Sequence, residues 1–227
     1  FNRTLAMKII HPEIQRFASG VARFVEEAQI VAQLQHPSIV PVFDKGTLPD
    51  GRLFFTMIEI KGVEFTNLIR NYHHTKTNEK EKSGPILRRL LNIFHKVCET
   101  MAYAHERGII HRDLKPENIM IGAHGEVLVV DWGIAKILNR LEDTEEPSNE
   151  IDGAEEATIK NFVHSSFRTK LGQVTGTPAY MSPEQARGDG GSELGDVYSL
   201  GAILYELLLG VPPYQGRNVH RVLIDIC

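Results

Sequence analysis

The eight residues His111-Arg112-Asp113-Leu114-Lys115-Pro116-Glu117-Asn118 place a carboxylate, an ammonium and a carboxamide within six positions. A carboxylate there can accept a proton, an ammonium can neutralise an anion, and carboxylate and amide oxygens are hard donors suited to a hard cation. Asp113 and Asn118 lie five apart on one loop. Two short apolar segments follow, Ile119 to Ile121 and Val127 to Val130, with Gly122 and Gly125 between them. They read as a hairpin that returns the chain so that Asp131 can face Asp113 and Asn118. Lys8 and Glu27 stand far upstream. Taken singly each of these is ordinary: a strand lysine is usually solvated, a helix glutamate is usually a surface acid, and Asp131 could merely end a strand.

The elements that would position them can be read along the chain. Leu5 to Ile10 reads as a strand, and Ala18 to Leu34 as a helix with Val21, Phe24, Ala28, Val31 and Ala32 on one stripe. Pro37 helps to stop it. Ile39 to Phe43 and Leu53 to Ile58 read as strands joined by the turn Pro49-Asp50-Gly51. Tyr72 to Ser83 is polar without period and is expected to be a loop. The next helix starts near Pro85, lines one face with Leu87, Leu91, Phe94, Cys98 and Met101, and ends at Gly108. Asp196 to Leu209 is apolar nearly all round, so it is expected to be buried on every side. The chain begins in a strand and stops within Val219 to Ile226, an apolar-faced helix, and is expected to be a fragment of a longer protein.

The 227 residues are 42% hydrophobic and 24% charged, an ordinary globular composition with enough chain for a buried core. The formal net charge is −4, with no basic excess to suggest nucleic acid or an anionic membrane. Residues 141–159 hold eight acidic and no basic side chains, leaving 25 basic against 29 less 8, or 21, acidic elsewhere. An anion is therefore a reasonable ligand for the remainder. The two cysteines, Cys98 and Cys227, have no metal or redox spacing, which excludes a disulfide scaffold and favours a reducing compartment. Val197 to Val211 is too short and too polar to span a bilayer.

Around the segment at 111–118, which fits the protein-kinase catalytic-loop pattern, the chain resembles the eukaryotic-like Ser/Thr protein kinases over essentially its whole length. Lys8 in Ala6-Met7-Lys8 looks like the strand lysine, and Glu27 like its helix partner, with Glu26 the alternative. Asp131-Trp132-Gly133 stands where the family has Asp-Phe-Gly, and Ser182-Pro183-Glu184 where it has Ala-Pro-Glu. Gly176 to Tyr180 matches the substrate-docking segment. Arg23-Phe24 with Glu27-Ala28-Gln29, and Asp131 to Lys136, most resemble the bacterial branch.

The resemblance implies an α+β, two-lobed fold. Residues 1–61 would form an incomplete small mixed lobe with its hinge, and 62–227 an incomplete, mainly helical lobe. The activation segment would run from 131 to 184, with an acidic insertion at about 140–160. ATP and Mg2+ would be the cofactors and proteins the substrates, with self-phosphorylation in trans. Lys8 would grip the α- and β-phosphates, directed by Glu27. Asp131 and Asn118 would hold magnesium, Asp113 would orient the substrate hydroxyl and take its proton, and Lys115 would neutralise the transferring phosphate. Met57 would back the nucleotide pocket, and Ile58, Glu59 and Ile60 would connect the lobes and read the adenine through backbone groups.

Arg112 resembles the arginine that receives a phosphorylated activation-segment residue. Ser165, Ser166, Thr169 and Thr175 are the candidate phosphosites, Thr169 having the best spacing. Thr177 with Lys115 implies Ser/Thr specificity, Thr177 contacting Asp113 and Lys115 rather than being modified. His111, Gly133, Glu184 and Asp196 are expected to be structural, Asp196 bracing the catalytic loop, capping its helix, or both. The Gly-rich loop that should precede Lys8 is not in the sequence. A scaffold that binds ATP without turnover and a small-molecule phosphotransferase of related fold are the competing readings. The domain is expected to be cytoplasmic, in a protein anchored to a membrane elsewhere.

Overall fold

The computed structural model describes residues 4–76, 83–132, 136–137, 178–187, 191–216 and 219–227. The chain divides into two compact units, Phe1–Ile137 and Leu138–Cys227. In the first, β1 (Leu5–Ile9), β2 (Val42–Thr47) and β3 (Leu53–Ile58) form an antiparallel sheet in the order β1-β3-β2. Lys8 lies opposite Phe55, and Ala6 opposite Met57. After β1 the chain makes a short helix α1 (Pro12–Gln15), which places proline in the first turn where no donor is lost. Helix α2 (Ala18–Gln33) then buries Glu27, Ala28, Ile30 and Val31. Its Phe24 ring meets Phe55 of the sheet at 5.2 Å.

The segment after α2 differs from the expected strand. Pairing begins at Val42, and Ile39 makes only an isolated parallel bridge to Val129. The stretch is held by side chains instead. Gln35 N–H donates to the Tyr103 hydroxyl at 2.9 Å, His36 packs on the Tyr103 ring at 4.9 Å, and the Arg107 guanidinium lies 3.6 Å over it. Val129 N–H donates to Ser38 O at 2.8 Å. The end of α2 is thereby tied both to the helix carrying Tyr103 and to the strand leading into Asp131.

A second sheet, in the order β4-β6-β7, joins β4 (Gly62–Glu64), β6 (Ile119–Gly122) and β7 (Val127–Val129). The expected hairpin is present, with Ile119 opposite Val129 and Ile121 opposite Val127. Gly62 is required by close approach, since a Cβ there would stand 2.3 Å from Ile121 O. Gly62→Ala should therefore separate β4 from β6 and cost about 1–3 kcal/mol. A fall in the urea midpoint would register that cost, and an unchanged midpoint would contradict the close approach.

Helix α3 (Phe65–Lys76) corrects the sequence reading, because it extends through Tyr72 to Lys76, expected as loop. Its inner turns carry Phe65 and Ile69 at 0% exposure, and Tyr72 at 4% continues that stripe. The polar His73, His74, Thr75 and Lys76 hid the period. Helix α4 (Ser83–His105) has the expected length, but its buried face is Leu90, Ile93, Val97, Met101 and Ala104. Leu91 is exposed, and only Met101 belongs to both stripes. Two apolar stripes one position apart fit this helix equally well by spacing, and packing selects between them. Gly108 closes the segment as expected, at φ 67. Beyond it β5 (Ile109–Ile110) pairs antiparallel with β8 (Lys136–Ile137).

The second unit contains α5 (Pro183–Arg187), α6 (Glu193–Leu209) and α7 (Val219–Ile226). Ser182 and Gln185 make a reciprocal cap: Ser182 N–H donates to Gln185 Oε1 at 3.1 Å, and Gln185 N–H to Ser182 Oγ at 3.5 Å. Helix α6 is not buried on every side. Ala202, Ile203, Glu206 and Leu207 face inward, while Leu194, Val197, Leu208 and Leu209 are exposed. Among the described residues no helix is long and apolar enough to cross a membrane.

Candidate active site

The first unit brings together the residues that the sequence scattered. Lys8, on β1, reaches Glu27 of α2 with Nζ 2.5 Å from Oε1, and Asp131 with Nζ 3.5 Å from Oδ1. Glu27, not Glu26, is thus the partner. Burial alone would lower the Lys8 pKa, but the charges of Glu27 and Asp131 outweigh it and hold the ammonium above its ordinary 10.5. The folded-state value is the raised one, so the stability it contributes is present below pH 10.5 and lost above it. For Glu27 burial is the largest influence and raises the carboxyl above its ordinary value, with Lys8 only partly opposing it. Acid should therefore discharge this ion pair at a milder pH than a surface pair.

The second cluster lies on the loop between β5 and β6. Lys115 Nζ is 2.7 Å from Asp113 Oδ2, and Asn118 Nδ2 donates to Asp113 O at 2.8 Å and to Asp113 Oδ2 at 3.2 Å. With its amide hydrogens committed to Asp113, Asn118 has Oδ1 left for a cation. The half-exposed Asp131 carboxylate supplies further hard oxygens. These donor types fit a magnesium ion. A turn of 3₁₀ helix, Pro116–Asn118, with proline at its start, sets Asn118 back against Asp113.

His111 is fully buried and holds this loop. Its Nδ1 accepts from Asp113 N–H at 3.3 Å, which leaves the proton on Nε2 to donate to Val130 O at 3.1 Å. The ring also packs against Trp132 at 4.7 Å. Arg112 and Asp131 adopt positive φ, 69° and 62°. Non-glycine residues in that region cost about 1–3 kcal/mol each and persist only where their surroundings fix them. Trp132 is the sole tryptophan and is 2% exposed. The folded chain should therefore emit well to the blue of free indole and resist acrylamide quenching. Emission at the solvent-exposed wavelength before unfolding would contradict this placement.

Met57 and Ile58 end β3, and Glu59 and Ile60 follow it, with Glu59 3.4 Å from Lys61 at the surface. Gly133, Ser165, Ser166, Thr169, Thr175 and Thr177 lie outside the described residues. In the second unit Glu184 sits in the first turn of α5. Asp196 is 1% exposed in the first turn of α6, but Ser192 occupies the cap position, so Asp196 is not the capping acid. Sequence reasoning placed Tyr180 in the docking segment but missed its tie to α6, where its hydroxyl donates to the buried Glu206 at 2.5 Å and its carbonyl accepts from Ser199 Oγ at 2.8 Å. The available signal was Glu206 itself, an acid in the middle of an apolar helix.

A profile of the protein kinase domain matches residues 1–226. The serine/threonine-protein kinase PknD of Protochlamydia amoebophila (strain UWE25) is 36% identical over 226 residues, which cover 95% of this chain and 21% of that protein. PknD of Chlamydia muridarum (strain MoPn / Nigg) is 38% identical over 223 residues, covering 97% and 23%. PknD of Chlamydia pneumoniae is 35% identical over 225 residues, covering 99% and 23%. The chain thus spans less than a quarter of the length of these relatives.

Proposed function

Because the chain belongs to the protein kinase domain family, we propose that it transfers the γ-phosphoryl group of ATP to serine and threonine hydroxyls of proteins. One observation carries this reading: Lys8, Glu27 and Asp131 form one contiguous charged cluster, and Asp113, Lys115 and Asn118 form a second. Together they supply the base, the cations and the metal donors that phosphoryl transfer needs.

Magnesium would supply charge neutralisation on the phosphates, held by Asp131 and by Asn118 Oδ1. Lys8 binds phosphate oxygens, and Glu27 holds its ammonium in place. Asp113 Oδ2 orients the acceptor hydroxyl and takes its proton, while Lys115 faces the negative charge that moves between donor and acceptor. His111 fixes the loop and carries no proton in the reaction. Met57 backs the nucleotide, and backbone groups of Ile58 to Ile60 read the adenine. Arg112 would receive phosphate on the activation segment, Thr169 being the preferred position, added by a second copy of the protein. Thr177 sets the preference for serine and threonine, with Gly133, Glu184 and Asp196 in supporting roles. The two free cysteines are in keeping with a cytoplasmic domain.

The acceptor class is tested by offering labelled ATP with Mg2+ together with casein, an aminoglycoside and choline. Label on casein serine and threonine is the expected result. Label confined to the small molecules would overturn the protein-kinase reading in favour of a small-molecule phosphotransferase.

A further inference from the structure

Surface cations such as Lys61 and Arg221 stand beside an acid, Glu59 at 3.4 Å and Asp225 at 3.2 Å. The packed helices α3 and α4 differ. Arg70 of α3 and Arg88, Arg89 and Lys96 of α4 are exposed, and among the described residues none of them meets a carboxylate. No aspartate or glutamate occurs from Phe65 to Lys76 or from Ser83 to Cys98. The intervening residues 77–82 balance Glu79 and Glu81 with Lys80 and Lys82. Glu99, just beyond, turns to His95 at 3.6 Å.

These charges do nothing for the helix that bears them. The first two turns of α4 hold two arginines and no acid, the opposite of what the helix dipole favours. Neither Arg88 nor Arg89 has an acid three or four positions away to offset it. The result is a standing positive field on an exposed helix face, suited to an anionic partner.

The spacing selects that partner. Arg89 and Lys96 lie on nearly one line of α4, about 10 Å apart along its axis. Carboxylates three residues apart on an extended peptide also span about 10 Å. Ile86 and Leu91, 39% and 37% exposed, add aliphatic surface to the same helix. A peptide can use both kinds of contact. Lipid headgroups and a nucleic-acid backbone use only the charge, and they extend past the patch onto a chain whose formal charge is −4.

We propose that the outward face of α4, reinforced by Arg70, is a docking surface for an acidic, extended segment of a partner protein. Its cations are not those assigned to phosphate, and its occupation does not require ATP.

The test is fluorescence anisotropy of a labelled Glu-Ser-Ser repeat peptide titrated with the full chain at low ionic strength, with and without saturating ADP and Mg2+. The Gln-Ser-Ser repeat is the neutral probe. The acidic peptide should bind, equally well with ADP present, and the neutral one should not. Arg88→Gln, Arg89→Gln and Lys96→Gln together should weaken binding about five- to twentyfold, the summed effect of three exposed ion pairs. Arg16→Gln with Lys45→Gln removes two exposed cations elsewhere in the same unit and should change binding less than about twofold. Glutamine preserves helix propensity, and Trp132 emission reports that each variant is folded. Unchanged binding in the triple variant, or equal losses in the two variants, overturns the surface. Displacement of the peptide by ADP would move it to the phosphate site and overturn it as well. Tighter binding of phosphatidylserine vesicles or duplex DNA than of the peptide overturns the choice of partner.

Discussion

Asp113→Asn should reduce phosphate transfer by about 10³-fold, the usual worth of a positioned general base, while nucleotide affinity stays within about twofold. Asparagine keeps the shape of the side chain, and the loop that bears it is held by bonds the substitution does not touch. His111 still accepts from the backbone N–H of residue 113, and Asn118 still donates to its carbonyl. What is lost is the oxygen that lies 2.7 Å from Lys115 and 3.2 Å from Asn118 and can take a proton. Transfer rate with calorimetric ADP binding on the same preparation measures both quantities. A variant retaining a tenth of native transfer would remove Asp113 from the role of base.

The second large effect concerns α2. Glu27→Ala should lower transfer by about 10- to 100-fold and stability by about 1–3 kcal/mol, less than for a fully buried pair because Lys8 reaches solvent. Glu27 is 8% exposed, and its carboxylate is the nearer of the two acids that hold the Lys8 ammonium. Without it Lys8 is left to Asp131 alone, and its direction toward phosphate is no longer set. Glu26→Ala serves as the comparison, since Glu26 acts electrostatically on Arg23 rather than on Lys8. Its transfer rate should stay within about twofold of native. Equal losses in the two variants would show that α2 matters only as a packed helix.

How far the sequence carried these assignments varies from place to place. The loop at 111–118 was legible because its chemistry is local: Asp113, Lys115 and Asn118 meet within six residues of chain. The choice of Glu27 over Glu26 was also legible, through motif register, and Glu27 is the one whose carboxylate lies 2.5 Å from Lys8 Nζ. Helix α3 beyond Tyr72 was not, because its last turn contributes no apolar residue to the core. The face of α4 was read one position away, since Leu90-Ile93-Val97 and Leu91-Phe94-Cys98 have the same spacing and only neighbouring elements distinguish them. Helix α6 misled for the opposite reason: apolar residues all round suggested burial, yet Leu194 is 73% exposed. The positive φ of Asp131 and the bond from the Trp132 indole to Val129 O depend on three elements meeting, and no spacing announces them.

In the proposed function these two clusters turn ATP over and do not merely hold it. The direct measurement is nucleotide binding and phosphate transfer on one preparation of the chain, with casein as acceptor and Mg2+ present. ADP binding should strengthen with Mg2+, and label on casein serine and threonine should disappear in Asp113→Asn. Tight, Mg2+-dependent binding with no label above the Asp113→Asn background would contradict that function, and the chain would then be a nucleotide-binding module rather than an enzyme.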